Sequence, residues 1–217
     1  MNVGEIHNKL REYKKKGKKL FVSSSFQTHS IPLLHILMES GVDIDVVFIN
    51  TGFHFPETMI FRDEVTKLLG INLIDIHPLV SKHLQKDVEG QFHFVADPDY
   101  CCFLNKTQTM EPYLMQYDVW INGVRADQSS VRKTMKPEQA APFNTIRFHP
   151  MLDWTMKQIH EYKKLHHLPE HPLDKQGYQS IGCVPCTRRI DVSSDRSGRW
   201  YGMNKTECGL HTDLISN

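Results

Sequence analysis

The run Lys19-Leu-Phe-Val-Ser-Ser-Ser-Phe-Gln-Thr-His-Ser-Ile-Pro-Leu-Leu-His-Ile-Leu-Met38 decides how this chain folds. Its first five residues are a short apolar strand that stops in a serine cluster, Ser23-Ser24-Ser25. Residues 31–38 then carry apolar side chains at helical spacing and end near Gly41. The hydroxyls and the free N–H groups of the helix start form a cradle for phosphate or sulfate, and they are equally an ordinary N-cap.

The alternation continues downstream. Asp45-Val-Val-Phe-Ile-Asn50 is a second buried strand, closed by Thr51-Gly52. Pro56-Glu57-Thr58 opens a helix with proline at a position where its missing N–H costs nothing. Residues 72–77 and Val119-Trp-Ile-Asn-Gly-Val124 supply a third and a fourth strand. Strands separated by helices predict an α/β fold, a mostly parallel sheet flanked by helices on both faces. Ligands of such sheets bind beyond the carboxyl ends of the strands. The loops at 23–30, 50–57 and 123–132 are therefore expected to face one crevice.

Composition is that of an ordinary globular protein: 217 residues, 40% hydrophobic and 24% charged, with a net charge of +1. That length allows one sizeable core, and the chain reads as a single domain over 1–217. No global field favours nucleic acid or a membrane surface. Met-Asn-Val-Gly-Glu opens no secretory signal, and no apolar run approaches the ~20 residues of a membrane span. Seven of the eleven residues from Lys9 to Lys19 are basic, which reads as the solvated face of a first helix.

Five cysteines fall into three sets: Cys101-Cys102, Cys183-Val-Pro-Cys186, and Cys208 alone. The first four form a two-plus-two set that can close one thiolate site. Adjacent cysteines diverge by ~100° on a helix, which suits a bulky centre such as an iron–sulfur cube. A zinc site, or unrelated thiols with Cys183 and Cys186 as a redox pair, fit the same count. Cys208 is left as a separate sulfur near the end of the sequence. Thiolates in a chain of this kind point to a reducing cytoplasm.

Several stretches together resemble the adenylylsulfate and phosphoadenylylsulfate reductase family. They are Ser23-Ser-Ser-Phe26, Asn50-Thr-Gly-Phe-His-Phe-Pro-Glu-Thr58, and Trp120-Ile-Asn-Gly-Val-Arg125 with Gln128-Ser129. Gly177-Tyr-Gln-Ser-Ile-Gly-Cys-Val-Pro-Cys-Thr187, Arg196-Ser-Gly-Arg-Trp200 and Glu207-Cys-Gly-Leu-His211 complete the set. The match runs in order from about residue 18 to residue 211. The CC and CxxC pairs resemble the cluster-bearing branch, which uses adenylyl sulfate. Gln27 departs from a family glycine, Asn50 from an aspartate and Asn105 from an arginine, and the stretch 199–208 is slightly short.

The resemblance implies an adenine nucleotide alpha hydrolase-like fold of the PP-loop type, with residues 191–217 a mobile tail. It implies one [4Fe–4S] cluster on Cys101, Cys102, Cys183 and Cys186, and Cys208 as the nucleophile. Attack on the substrate sulfur would expel AMP and leave a cysteine S-sulfonate, which thioredoxin or glutaredoxin discharges as sulfite. Lys106, four residues after Cys102, would share its helical face and point at the sulfate. His211 would favour the thiolate. Ser23, Ser24, Ser25, Thr51, Gly52, Arg125, Arg196 and Arg199 would bind the anionic substrate. Trp120, Trp154 and Trp200 read as core or pocket walls. A homo-oligomer is compatible with the resemblance. A reductase for the 3′-phosphorylated substrate, or for both, is the alternative reading. A tRNA-thiolating PP-loop enzyme is a more distant one, since its Ser-Gly-Gly-x-Asp-Ser loop is absent. A zinc-stabilised binding module is the non-enzymatic one.

Overall fold

The computed structural model describes residues 1–189, 198–203, 205 and 207–214. Six strands form one sheet in the order β3-β2-β1-β4-β6-β5. They are β1 (Leu20–Ser23), β2 (Asp45–Ile49), β3 (Leu73–Ile76), β4 (Val119–Ile121), β5 (Glu138–Ala140) and β6 (Ile146–Phe148). All neighbouring pairs are parallel except β5 with β6. The four apolar runs read as strands are strands, although β4 stops at Ile121 and leaves 122–124 as loop.

Alternation along the strands loads both faces of the sheet. Leu20, Val22, Val46, Phe48, Val119 and Ile121 face one core, with Leu34, Leu37 and Phe61 from the covering helices. Phe21, Val47 and Trp120 face the other, against Met110, Leu114 and Leu214. A sheet buried on both faces reads as unbroken apolar runs. Each such Phe or Leu contributes about 1.5–3 kcal/mol relative to exposure.

Helices α1 (Val3–Lys15), α2 (Ile31–Glu39), α3 (Pro56–Leu69) and α8 (Met156–Leu165) place residues in the first core. A capping box closes the start of α1: Asn2 Oδ1 accepts from Glu5 N at 2.9 Å and Asn2 N donates to Glu5 Oε2 at 2.7 Å. Its buried stripe is Ile6, Leu10 and Tyr13, and several of its basic residues pair with acids, among them Lys9 with Glu138 at 2.7 Å. Between β3 and β4 lie α4 (His93–Ala96), α5 (Pro98–Cys102) and α6 (Gln108–Leu114). A π-helical turn, Phe103–Thr107, joins α5 to α6. The short α7 (Ser130–Lys133) follows β4. Among the described residues no helix is long and apolar enough to cross a membrane.

Chain order fixes where a ligand can enter. From β1 the chain steps one way to β2 and β3, and from β4 it steps the other way to β6. The reversal lies between β1 and β4, and an open α/β sheet parts its loops at such a point.

Candidate active site

At that parting lies a cavity of about 190 Å³. Ser23, Ser24 and Ser25 line it after β1, and Asn122, Gly123 and Val124 line it after β4. The loop 123–132 also contributes Gln128 and Arg132. From residues 50–57 His54 alone lines it among the described residues, so the expected convergence of three loops holds fully for two.

The serine loop is held by its own geometry. Ser23 Oγ accepts from Trp120 Nε1 at 2.7 Å, and Ser24 Oγ accepts from Phe26 N at 3.1 Å. Phe26 takes a left-handed φ of 51°, uncommon for a bulky residue, and its ring is locked in the core edge-on to Phe48 at 5.8 Å. Gln27 acts as a strut: Ile181 N donates to its Oε1 at 3.0 Å, and its Nε2 donates to Ser25 Oγ at 3.3 Å. A glycine there could not tie the serine loop to the segment before Cys183.

Thr51 and Gly52 do not line this cavity. Thr51 is buried and its hydroxyl lies 3.4 Å from Cys183 Sγ. Asn50 Oδ1 accepts from Gly52 N at 3.2 Å, so this turn forms part of the wall toward the cysteines.

Cys101, Cys102, Cys183 and Cys186 are buried and line a second, smaller hollow with Phe53, Phe94, Asn105 and Lys106. Cys101 and Cys102 end α5, and the other two flank the short turn Val184–Cys186. All five cysteines are free. Burial, with neighbouring cysteines adding to it, pushes the Cys101 thiol up to about 12 and the Cys186 thiol to about 11. Such thiols stay neutral on their own, whereas bound metal draws off their protons. Four soft sulfur donors from two chain segments fit an iron–sulfur centre. Among the described residues, no group of three or more His, Cys, Asp or Glu side chains stands ready for a single metal ion.

Lys106 lines both spaces. Its Nζ lies 3.9 Å from Cys208 Sγ. Burial works against the ammonium, but the sulfurs of Cys183, Cys208 and Cys102 outweigh it and keep it protonated. For Cys208, burial acts to raise the thiol pKa. Lys106, the Leu210 backbone N–H and Arg199 overcome that and hold it below the usual thiol value. Cys208, which the resemblance implied on a mobile tail, lines the cavity in this structure.

Its neighbours hold it there. Arg132 grips Glu207 through Nε and Nη2 at 2.9 Å each, and Ser129 Oγ adds a bond at 3.0 Å. Gly209 follows Cys208, and a Cβ at that position would lie 2.5 Å from Asp213 Oδ2. Arg147 Nη2 donates to His211 Nδ1, which places the proton of a neutral His211 ring on Nε2. Arg147 itself stacks on Trp120 at 4.4 Å.

Arg199 and His211 line the cavity, and Trp200 is one of its walls. Trp120 and Trp154 belong to the two cores. Arg125 is not among the lining residues; it is 1% exposed and paired with Asp127 at 3.0 Å. Arg196 lies outside the described residues. Sequence reasoning missed Arg132, Asn122, Arg147 and the strut role of Gln27. Arg132 sits three residues after its capping residue Ser129, the one local signal it carried.

The phosphoadenosine phosphosulfate reductase domain model matches residues 19–189, the span that builds the sheet and most of the cavity wall. The chain belongs to this reductase family. An adenosine 5′-phosphosulfate reductase of Rhodococcus erythropolis is 37% identical, over 82% of this chain and 73% of that protein. A phosphoadenosine 5′-phosphosulfate reductase of Gloeobacter violaceus is 38% identical, over 90% and 83%. Adenosine 5′-phosphosulfate reductase 1 of Bacillus subtilis is 35% identical, over 90% and 85%. Membership of the reductase family agrees with the fold. A crystal structure of phosphoadenylyl-sulfate reductase from Candida auris superposes with a TM-score of 0.68 at 20% identity, over 82% of this chain and 87% of that one. FMN adenylyltransferase of Candida glabrata shares the architecture at a TM-score of 0.58 and 16% identity, over 88% and 67%.

Proposed function

We propose that this reductase converts adenylyl sulfate to sulfite and AMP in sulfate assimilation, working in a reducing cytoplasm. The observation that carries the reading is that Cys208 lines the cavity with its Sγ 3.9 Å from Lys106 Nζ. The Cys208 thiolate attacks the substrate sulfur, the S–O bond to the phosphate breaks, and AMP leaves with the electron pair. A cysteine S-sulfonate remains. Lys106 and Arg199 offset charge on the sulfonyl group and the departing phosphate. His211, held by Arg147, presents Nε2–H to the same space.

A thiolate of thioredoxin or glutaredoxin then attacks Cys208 Sγ and releases sulfite, whose sulfur keeps the electron pair. The second thiol of that dithiol resolves the mixed disulfide, so the donor loses two electrons and Cys208 returns as a thiol. The segment carrying Cys208, within the tail 191–217, leaves the cavity to meet this partner. Cys101, Cys102, Cys183 and Cys186 hold one [4Fe–4S] cluster. When bound it supplies a fixed local charge beside Lys106 and ties the two cysteine segments together.

Mixing the reduced protein with adenylyl sulfate and no external thiol tests this. About one AMP per site is expected, together with the mass of one sulfonate on the Cys208 peptide. Cys208→Ser should bind substrate, retain iron and show neither product. Normal sulfite release by that variant would overturn the mechanism. A parallel assay with the 3′-phosphorylated nucleotide decides the substrate preference.

A further inference from the structure

Asn105 lies in the π-helical turn and is 2% exposed; Gln85 follows the short turn Lys82–Leu84 and is also 2% exposed. Their side-chain amides face one another. Asn105 Nδ2 donates to Gln85 Oε1 at 2.5 Å, and Gln85 Nε2 donates to Asn105 Oδ1 at 3.0 Å. The second Gln85 N–H goes to Val80 O at 2.8 Å. The second Asn105 N–H is shared between Cys101 O at 2.8 Å and Cys101 Sγ at 3.5 Å.

Each primary amide has two hydrogens, so all four are used in this arrangement. The arrangement also has one sense only. Turning the Asn105 amide over would set its Oδ1 against the Cys101 carbonyl, acceptor against acceptor. Gln85 would then face a donor with its own donor. The Asn105 N–H is therefore aimed at Cys101 by two independent constraints.

We propose that Gln85 and Asn105 act as positioning residues that direct one neutral N–H onto the Cys101 sulfur, and so set the electronic state and durability of the iron–sulfur centre. The inference rests on the cluster assignment under Proposed function. A hydrogen bond to a ligand thiolate withdraws charge from sulfur, and such outer contacts tune iron–sulfur centres and their lability. At this position the family resemblance expects arginine. This chain has an oriented amide there, so Lys106 is the cation that the π-helical turn presents to the cysteines.

The test compares wild type, Asn105→Leu and Gln85→Leu as anaerobically purified full chains. Asn105→Leu removes the donor at similar volume; Gln85→Leu keeps the donor and removes one of the two constraints that aim it. Iron content, the resonance Raman bands of terminal Fe–S(Cys) stretching, and the rate of bleaching in air are measured. Both variants should hold iron, show shifted terminal stretching bands, and bleach about fivefold faster, the equivalent of one ordinary hydrogen bond. Wild-type bands and wild-type bleaching in an iron-loaded variant would mean the amide pair only packs the loop, and would overturn the proposal. Wild-type protein without iron would instead defeat the cluster assignment, and the proposal with it. If Asn105→Leu fails to fold, Gln85→Leu decides.

Discussion

Arg132 and Glu207 meet across 75 residues of chain as a buried, two-pronged ion pair, Nε to Oε2 and Nη2 to Oε1, both 2.9 Å. Cys208 N also donates to Glu207 Oε1 at 3.0 Å. One carboxylate thus holds both Arg132 and the backbone of Cys208. Removing one partner of a buried pair typically costs about 3–5 kcal/mol, because the other charge is stranded.

Glu207→Gln should therefore loosen the seat of Cys208 and leave the sheet intact. The expected outcome is alkylation of Cys208 by iodoacetamide at least about tenfold faster, a change that needs only about 1.4 kcal/mol of local opening. Iron content should stay at the wild-type value. Unchanged labelling would show that the pair does not restrain the thiol.

Arg199 owes its place to a missing side chain. A Cβ on Gly182 would come within 2.5 Å of the guanidinium carbon and one of its terminal nitrogens. Gly182→Ala should push Arg199 out of the cavity and weaken binding of an anionic nucleotide about tenfold, the value of one charge-assisted contact. Calorimetry against adenylyl sulfate reads this directly. An affinity equal to wild type would remove Arg199 from the binding set.

Lys106→Met deletes the ammonium and keeps most of the stem. Formation of the S-sulfonate should slow at least about a hundredfold, as when one preorganised donor is lost from a charged transition state. Rapid-quench release of AMP is the measurement. A rate within about threefold of wild type would place the essential cation elsewhere.

Acid should destabilise the fold through two histidines that are 0% exposed. Burial, with Arg147 next in effect, lowers His149 to about 4, and burial lowers His171 to about 4, from an ordinary 6.5. His171 Nδ1 accepts from Leu173 N at 3.2 Å and its Nε2 lies 3.0 Å from Thr58 Oγ1, a pattern suited to the neutral ring. Between pH 6.5 and 4 the unfolded chain binds protons that the folded one refuses, so stability falls as pH falls. From pH 7.5 to 5 the loss is about 2 kcal/mol per histidine. The half-buried Asp174 carboxyl, whose pKa burial raises, offsets part of this near its own range. Urea unfolding across that interval should show the slope, and His171→Gln should remove about half of it.

The strands legible in the sequence are those buried on both faces, where Val, Ile, Phe and Leu run without interruption. β5 and β6 gave no such signal. Glu138 and Ala140 are exposed at the sheet edge, and β6 carries Arg147 at its centre. The antiparallel pair was therefore missed. The serine loop, Lys106 and Cys208, singled out by residue type, spacing and the family resemblance together, do line one cavity. Arg132 was not singled out, since an arginine in a loop looks solvated until Glu207 folds onto it. Nor was the Gln85 and Asn105 pair, because reciprocity belongs to two residues at once. Arg125, read as substrate-binding, pairs with Asp127 through Nε and lies outside the cavity lining, and its two terminal nitrogens are buried without a protein partner.

The π-helical turn at Phe103–Thr107 holds one residue more than an α-turn would. Deleting any one of its five residues would let an ordinary α-helix run through, turning everything after it by ~100° against everything before. Either Met110 and Leu114 would leave the face they share with Phe21 and Trp120, or Cys101 and Cys102 would swing away from Lys106. Away from Asn105 and Lys106, substitutions in this turn can be absorbed one side chain at a time, but a change in its length cannot. Descendants of this chain should accordingly keep the length of the turn and its Lys106, and vary at its other positions.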